Sequence, residues 1–219
     1  MKRSKLAFIV LGLVFALLIA VSGAAGSAQK GSPRTHGKGQ PNMHMRWDVV
    51  SLNFATSTLT RGGHASAFAT ASGGTAHTGK ITLTGGGTFT SNPGKPQNVT
   101  GGGTWQTFDA AGAPNGNGTY NVTGFVDFDL APGSLPANIT DNSGNKADVH
   151  SGLAVFKIAY SDGSDGTLTV SCDLPVGSPP TLFEGVTATK GYVDYWERDP
   201  AVANVDANRT NFHTLHSSH

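Results

Sequence analysis

Apolar and polar residues alternate with a period of two through most of this chain, which is the pattern of β-strands that are buried on one face. The clearest block runs from Ser151 to Glu197. Turn-forming residues at 161–166 predict that the strand from Thr167 to Leu174 pairs antiparallel with the strand before it, at Phe156 to Tyr160. The apolar parity of the second strand holds Leu168, Val170, Cys172 and Leu174. Cys172 is therefore predicted to be buried.

The block continues with two apolar segments, Phe183 to Ala188 and Tyr192 to Trp196, which together resemble one long strand. The apolar parity slips near Lys190 and Gly191, where a β-bulge would absorb one extra residue. We therefore predict a bend in the strand at this point.

Five strand-like segments precede this block: Trp47 to Ala55, Ala65 to Ala71, Lys80 to Thr90, Val99 to Trp105 and Thr119 to Leu130. The last is the longest, and its apolar parity holds from Tyr120 to Leu130. Asp127 and Asp129 lie on the opposite parity, which is predicted to face solvent. Residues 131–150 show little periodicity and are predicted to form a long loop, a feature that is often functional in compact domains.

Three glycines followed by threonine and an aromatic residue occur twice, and the two copies end at Phe89 and Trp105. A phosphate-binding loop is not expected, because the triplets lie within strand patterns and no Gly-Lys-Ser/Thr helix start follows them. Inward glycines remove side chains beside these two large rings, so we predict that the interior is widest there. The predicted ligand-binding residues are Phe89, Trp105, Gly103 and Gly87.

The fold class predicted from this pattern is all-β. Strand-like segments with short connections and inward glycines favour an antiparallel eight-stranded barrel, with a two-sheet β-sandwich as the alternative. The only helix expected is a signal helix at the N-terminus.

The N-terminus carries Lys2, Arg3 and Lys5 before an apolar run and a small-residue ending, which is the layout of a cleavable secretory signal. We predict a signal peptide at 1–28, a flexible linker at 29–45, a barrel or sandwich domain at 46–198 and a polar C-terminal tail at 199–219. A short strand near Asn211 to Leu215 is allowed within that tail. The predicted location is extracellular, and the alternative is an uncleaved N-terminal membrane anchor.

Charge argues against two classes of partner. The whole chain has a net charge of +1, but from residue 46 onward its nine basic and fourteen acidic residues give −5. A domain of this sign has no electrostatic reason to bind nucleic acid or, after signal cleavage, an anionic membrane. The one cysteine permits no intrachain disulfide, so the core must supply the stability.

No combination of residues predicts catalysis, a metal or a cofactor. Asp162 and Asp165 lie in a turn without the ligand spacing of an EF-hand, and a plain hairpin turn is expected there. His213, His216 and His219 recur every third residue, but a frayed terminus is the expectation for them. No common hydrolase or redox motif is present, so catalytic residues stay unassigned.

Three function classes remain. The first is a secreted, non-catalytic domain that binds a small hydrophobic molecule in its interior. The second is an extracellular structural domain or one that contacts glycans, suggested by surface threonine, asparagine and aromatic residues. The third is an enzyme without a recognisable motif. A closed barrel filled by side chains would weaken the first class, and no oligomeric state can be assigned from the sequence.

Overall fold

The computed structural model describes residues 42–92 and 95–216. The predicted signal helix and its cleavage site lie outside these residues, as does most of the predicted linker. The described part is all-β, as predicted, with a single three-residue 3-10 turn at Lys146–Asp148. None of its helical structure has the length and apolar character needed to cross a membrane.

Fourteen strands are present among the described residues. In chain order they are β1 (His44–Asn53), β2 (Thr58–Arg61), β3 (Ala65–Thr70), β4 (His77–Leu83), β5 (Gly86–Thr90), β6 (Gly102–Asp109), β7 (Pro114–Ala131), β8 (Thr140–Asp141), β9 (Val149–Tyr160), β10 (Asp165–Cys172), β11 (Gly185–Lys190), β12 (Val193–Tyr195), β13 (Glu197–Arg198) and β14 (Arg209–Thr214).

Six of these strands close an antiparallel barrel in the order β1, β5, β6, β7, β9 and β14, after which β14 pairs with β1. The barrel prediction is confirmed, but its strand count is six rather than eight. The remaining eight strands pair outside the ring, because β1, β6 and β9 each pair along one edge with both a ring strand and an outer strand. Alternation cannot report such branching, since both kinds of strand have one buried face.

Aromatic side chains fill the barrel. Phe89 on β5 is 1% exposed, and its ring centroid lies 5.2–6.2 Å from four other phenylalanine rings. These rings belong to Phe125, Phe128, Phe156 and Phe212. Edge-to-face and offset contacts of this kind stabilise a core beyond the area they bury. The interior is thus a packed core.

In the longest strand, β7, the residues that point inward are not all those predicted from the alternation. β7 contains two register shifts against β9, between Val122 and Gly124 and between Phe125 and Asp127. Each shift inserts an extra residue, so Phe125 and Phe128 both point inward while Val126 becomes exposed. Asp129 is exposed, in line with its predicted solvent-facing position.

The predicted bend near Lys190 is instead a chain reversal. β11 and β12 pair antiparallel, with Lys190 opposite Val193, and Gly191 has a positive φ of 56°. A left-handed glycine suits a tight turn between paired strands, and a slip in parity looks the same whether a bulge or a two-residue turn causes it. The prediction of one long strand was wrong.

Both ends of the domain extend beyond the predicted limits. β1 begins at His44, inside the predicted linker, and β14 lies inside the predicted polar tail. The short strand allowed near Asn211 is present as β14, where Phe212 is fully buried in the barrel. The polar residues of this segment obscured its role, because they face a buried polar layer rather than solvent.

The hairpin predicted at residues 161–166 is confirmed by the antiparallel pairing of β9 and β10. Cys172, at the end of β10, is fully buried, as predicted. The Asp162 carboxylate accepts hydrogen bonds from the backbone and hydroxyl of Ser164 and forms an ion pair with Lys190, which is the geometry of a plain turn.

Candidate functional site

A polar surface lies on one side of the outer sheet, where strands β13, β3, β4, β6 and β7 pair in sequence. We call it the outer sheet face. The register places Thr82 opposite Gln106, and Gln106 opposite Asn117. Opposed residues on neighbouring strands point to the same side, so these side chains form a row across the sheet. The face also carries Thr84, Thr104 and Thr119.

The row of Thr82, Gln106 and Asn117 is uncharged, and Thr84, Thr104 and Thr119 add further hydroxyl groups beside it. The hydroxyls of Thr84 and Thr104 are hydrogen-bonded at 2.7 Å, and Thr84 Oγ1 also accepts from the backbone N–H of Thr104 at 3.1 Å. A shallow depression of about 550 Å³ lies over these side chains. Cross-strand threonine pairs hold their hydroxyls in fixed positions, so the face presents an ordered set of donors and acceptors.

Aromatic residues border this face at the β3 edge. Trp196, between β12 and β13, is 59% exposed, and its Nε1 donates a 3.0 Å hydrogen bond to Thr70 Oγ1. Tyr192 is fully exposed at the tip of the β11–β12 hairpin. Both residues line a second depression, of about 690 Å³, together with Asp194. The hydrogen bond fixes the orientation of the Trp196 ring while a large part of it stays in solvent.

Two further aromatic rings lie on the face itself. Phe68 on β3 stacks on His77 with their ring centroids 4.0 Å apart, and His77 Nε2 lies 3.3 Å from a Glu197 carboxylate oxygen. Phe108 lies on β6, opposite Lys80 on β4, and the ammonium of Lys80 lies 4.6 Å from the centre of the Phe108 ring. The outer sheet face therefore combines hydrogen-bonding groups with flat apolar surfaces.

The two aromatic residues predicted from the sequence to bind a ligand, Phe89 and Trp105, do not lie on the outer sheet face. Phe89 belongs to the packed barrel core. Trp105 is also buried, but its ring contacts Tyr160 and the ammonium of Lys190, and its Nε1 donates to the Thr119 carbonyl at 3.1 Å. The two rings thus contact different neighbours.

The predicted glycines do not create open space, because backbone atoms of neighbouring segments occupy the positions that their side chains would take. A Cβ at Gly103 would overlap the carbonyl oxygen of Thr84, and a Cβ at Gly87 would overlap that of Thr100. Both positions lie where β5 and β6 approach each other, so glycine is required for close strand contact. Ligand binding at Phe89, Trp105, Gly103 and Gly87 stays a prediction.

A buried polar layer lies between the β1–β14 pair and the segment 132–148, and sequence reasoning missed it. His213 bridges Asp141 and Arg46, through a 2.8 Å contact of Nε2 with Asp141 Oδ2 and a 3.2 Å contact of Nδ1 with Arg46. Arg46 Nε also donates to Asp48 at 2.6 Å. The unusual length of the 131–150 connection was the available signal.

Burial and hydrogen bonding have opposite effects on the pKa values of the two carboxylates in this layer, Asp48 and Asp141. Burial raises the pKa of Asp48, and the adjacent Arg46 does not fully offset it. Burial also acts to raise the pKa of Asp141, but hydrogen bonds from His213 and Ser143 outweigh it and hold the pKa below its ordinary value. The prediction of a frayed terminus was wrong for His213, which is 1% exposed.

No group of three or more histidine, cysteine or acidic side chains in the described ranges has a geometry that could hold a metal ion. The fold and these surfaces define the chain as an all-β protein built on a closed six-stranded barrel with a branched outer sheet. No family model, curated protein or solved structure matches it.

Proposed function

We propose that this protein is a secreted, non-catalytic domain that binds neutral carbohydrate on its outer sheet face. The observation that supports this most directly is the ordered row of uncharged side chains, Thr82, Gln106 and Asn117, on a sheet whose β3 edge carries the exposed ring of Trp196. Export is supported by the signal-like N-terminal sequence.

Carbohydrate suits this surface for chemical reasons. Each sugar hydroxyl is both a donor and an acceptor, as are the threonine hydroxyls and the amide groups of Gln106 and Asn117. The C–H faces of a pyranose ring are apolar and flat, so they pack against an exposed aromatic ring such as Trp196. Neighbouring strands lie about 4.8 Å apart, a distance close to the length of one sugar ring, so one row can contact consecutive residues of a chain.

The charge pattern favours a neutral ligand over an acidic one. The row of Thr82, Gln106 and Asn117 carries no cation to pair with a uronate or a sulfate, the ammonium of Lys80 on the same face lies over the Phe108 ring, and the domain as a whole is acidic. The packed aromatic barrel argues against the competing proposal of a hydrophobic ligand in the interior. An enzyme is not favoured either, since the described part of this face lacks a buried pair of carboxylates that could act as acid and base.

Affinity electrophoresis through gels that contain soluble β-glucan, mannan or xylan tests the proposal. We expect retardation of the wild type by at least one of these neutral polysaccharides and none by the acidic polymer polygalacturonate. Trp196→Ala and Gln106→Ala should each reduce the affinity about tenfold, the effect of about 1.4 kcal/mol that one stacking or hydrogen-bonding contact supplies.

Thr104→Ala and Thr167→Ala form a matched pair for the same experiment. Thr104 belongs to the cross-strand threonine pair on the outer sheet face, whereas Thr167 forms an equivalent pair with Thr189, at 3.2 Å, on β10 and β11. Only Thr104→Ala should weaken binding. Binding of polygalacturonate alone, binding of no polysaccharide, or equal losses in the two variants would refute the proposal.

A further inference from the structure

A separate cleft of about 320 Å³ lies near the β14 strand, away from the outer sheet face. Its walls are mainly apolar and come from β1, β2, the 132–148 segment and the chain that follows β10. They include Leu52, Leu59, Leu135, Ile139 and Leu174. Its polar residues are Asp173, Glu184, Arg209 and Thr210. A cleft of this size with apolar walls and few polar groups is the usual form of a small-molecule site.

Glu184 is held rigidly at the wall of this cleft. Its Oε2 accepts a 2.5 Å hydrogen bond from the backbone N–H of Asp173, and its Oε1 accepts one of 2.5 Å from that of Thr210. Each oxygen of the ionised carboxylate has a second lone pair with which it can accept a hydrogen bond from a ligand. The carboxylate is thereby preorganised, with little side-chain entropy left to lose on binding.

The charges around Glu184 leave the cleft acidic. Asp173 supplies a second carboxylate, and Arg209 is the one cation among the lining residues. The Arg209 guanidinium is already engaged, because it donates to the carbonyls of Val202, Val205 and Ala207 and lies 5.0 Å from the centre of the Phe54 ring. These contacts hold the guanidinium in place without neutralising it, so with both carboxylates ionised the lining residues carry a net charge of −1 (two carboxylates against one guanidinium), which favours a cationic occupant over a neutral or anionic one.

We propose that this cleft binds a small apolar molecule that carries one protonated amine. The ammonium group pairs with Glu184 and Asp173, and the hydrocarbon part packs against the leucine and isoleucine walls. Size and charge complementarity with the cleft define this ligand class, and the site is independent of the carbohydrate surface.

The binding should depend on pH in a definite direction. Burial raises the pKa of Glu184 to about 8, although backbone hydrogen bonds and Arg209 act to lower it and Asp173 to raise it. A cation requires the ionised carboxylate, so affinity should increase as the pH rises through about 8. It should fall again near pH 10.4, about where an alkylamine loses its proton. A neutral ligand of the same shape would show no such rise.

Three probes with the same hydrocarbon chain test the charge requirement: hexylamine, hexanol and hexanoate. Their affinities for the full protein can be measured by NMR titration at about pH 9. We expect hexylamine to bind about tenfold more tightly than hexanol, since that is the effect of one modest ion pair, and hexanoate to bind most weakly. Equal or tighter binding of hexanol or hexanoate, or no binding of hexylamine, would overturn the proposal.

Two variants locate the site. Glu184→Gln should remove the preference for hexylamine over hexanol and the rise of affinity with pH, while polysaccharide binding at the outer sheet face stays unchanged. Because the amide introduced by Glu184→Gln would leave one backbone donor poorly paired, Ile139→Trp provides a second variant that fills the cleft without altering the carboxylates. Retention of wild-type hexylamine affinity in a folded Ile139→Trp protein would also exclude this cleft.

Discussion

His213 and Asp141 form a buried pair in which Nε2 of the imidazole lies 2.8 Å from Oδ2 of the carboxylate and the two side chains are 2% and 0% exposed. The opposite ring nitrogen, Nδ1, lies 3.2 Å from a guanidinium nitrogen of Arg46. Arginine can only donate, so Nδ1 accepts and the proton resides on Nε2, which donates to Asp141. This pair connects the 132–148 segment to β14 and so holds a long loop against the barrel.

The first prediction concerns this connection. Asp141→Asn should lower the free energy of unfolding by about 1.5–3 kcal/mol, because the amide nitrogen cannot accept the hydrogen bonds that the carboxylate oxygens receive from His213 and Ser143. Urea denaturation at pH 7 measures the change. Asp148→Asn is the matched control, since Asp148 forms a similar 2.9 Å contact with the exposed His216. That variant should change little, and equal losses in both would contradict the importance of burial.

Acid should act through the same carboxylate. The pKa of Asp141 is held below its ordinary value of 3.8 in the folded protein, so its contribution to stability is present above that value and is lost as the pH falls through the folded pKa. The wild type should therefore lose stability in this acid range more steeply than Asp141→Asn. Parallel acid limbs in the two denaturation series would show that Asp141 is not linked to folding in this way.

Glu184 predicts the opposite pH dependence. Its pKa rises from an ordinary value of 4.5 to about 8 on folding, mainly through burial. Because folding raises this pKa, Glu184 contributes fully to stability at pH values below 4.5. That contribution is lost as the pH rises through about 8. Chemical denaturation of the wild type between about pH 5 and 9 should show this decline, and Glu184→Gln should show a flatter profile. A wild-type profile as flat as that of the variant would argue against the shift.

Cys172 should be nearly inert in the native protein. It is fully buried, and burial raises the pKa of its thiol, with Glu184 and Asp173 acting in the same direction. Reaction with a disulfide reagent requires an opening of several kcal/mol, so native labelling should be at least about 10³-fold slower than labelling in denaturant. Ellman's reagent measures both rates, and comparable rates would place the thiol at the surface.

The last prediction concerns the close approach of β5 and β6. Gly103→Ala should destabilise the fold by about 3 kcal/mol, since its Cβ would overlap the backbone oxygen of Thr84 and force the strands apart. Gly74→Ala is the control, because its Cβ meets only ordinary contacts at 3.6 Å or more. Thermal unfolding distinguishes the two. A Gly103→Ala protein as stable as Gly74→Ala would restore the hypothesis that the glycines leave open space.

The sequence determined those features that depend on local periodicity. Alternation specified the all-β class, the hairpin of β9 and β10 and the burial of Cys172, because side chains one residue apart on a strand must point to opposite faces. It also identified the long 131–150 connection. It could not detect the two bulges of β7 or distinguish a bulge from a turn at Gly191, since both appear as the same slip in parity.

Tertiary structure decided which strands close the barrel, what fills it and where the candidate sites lie. Strand pairing between distant segments depends on packing over the whole domain, so six strands could not be selected from the alternation of each one. The outer sheet face arises because register brings Thr82, Gln106 and Asn117 into one row from three separate segments. Likewise, Glu184 and His213 owe their surroundings to chain segments far away in sequence, and burial among those segments sets their chemistry.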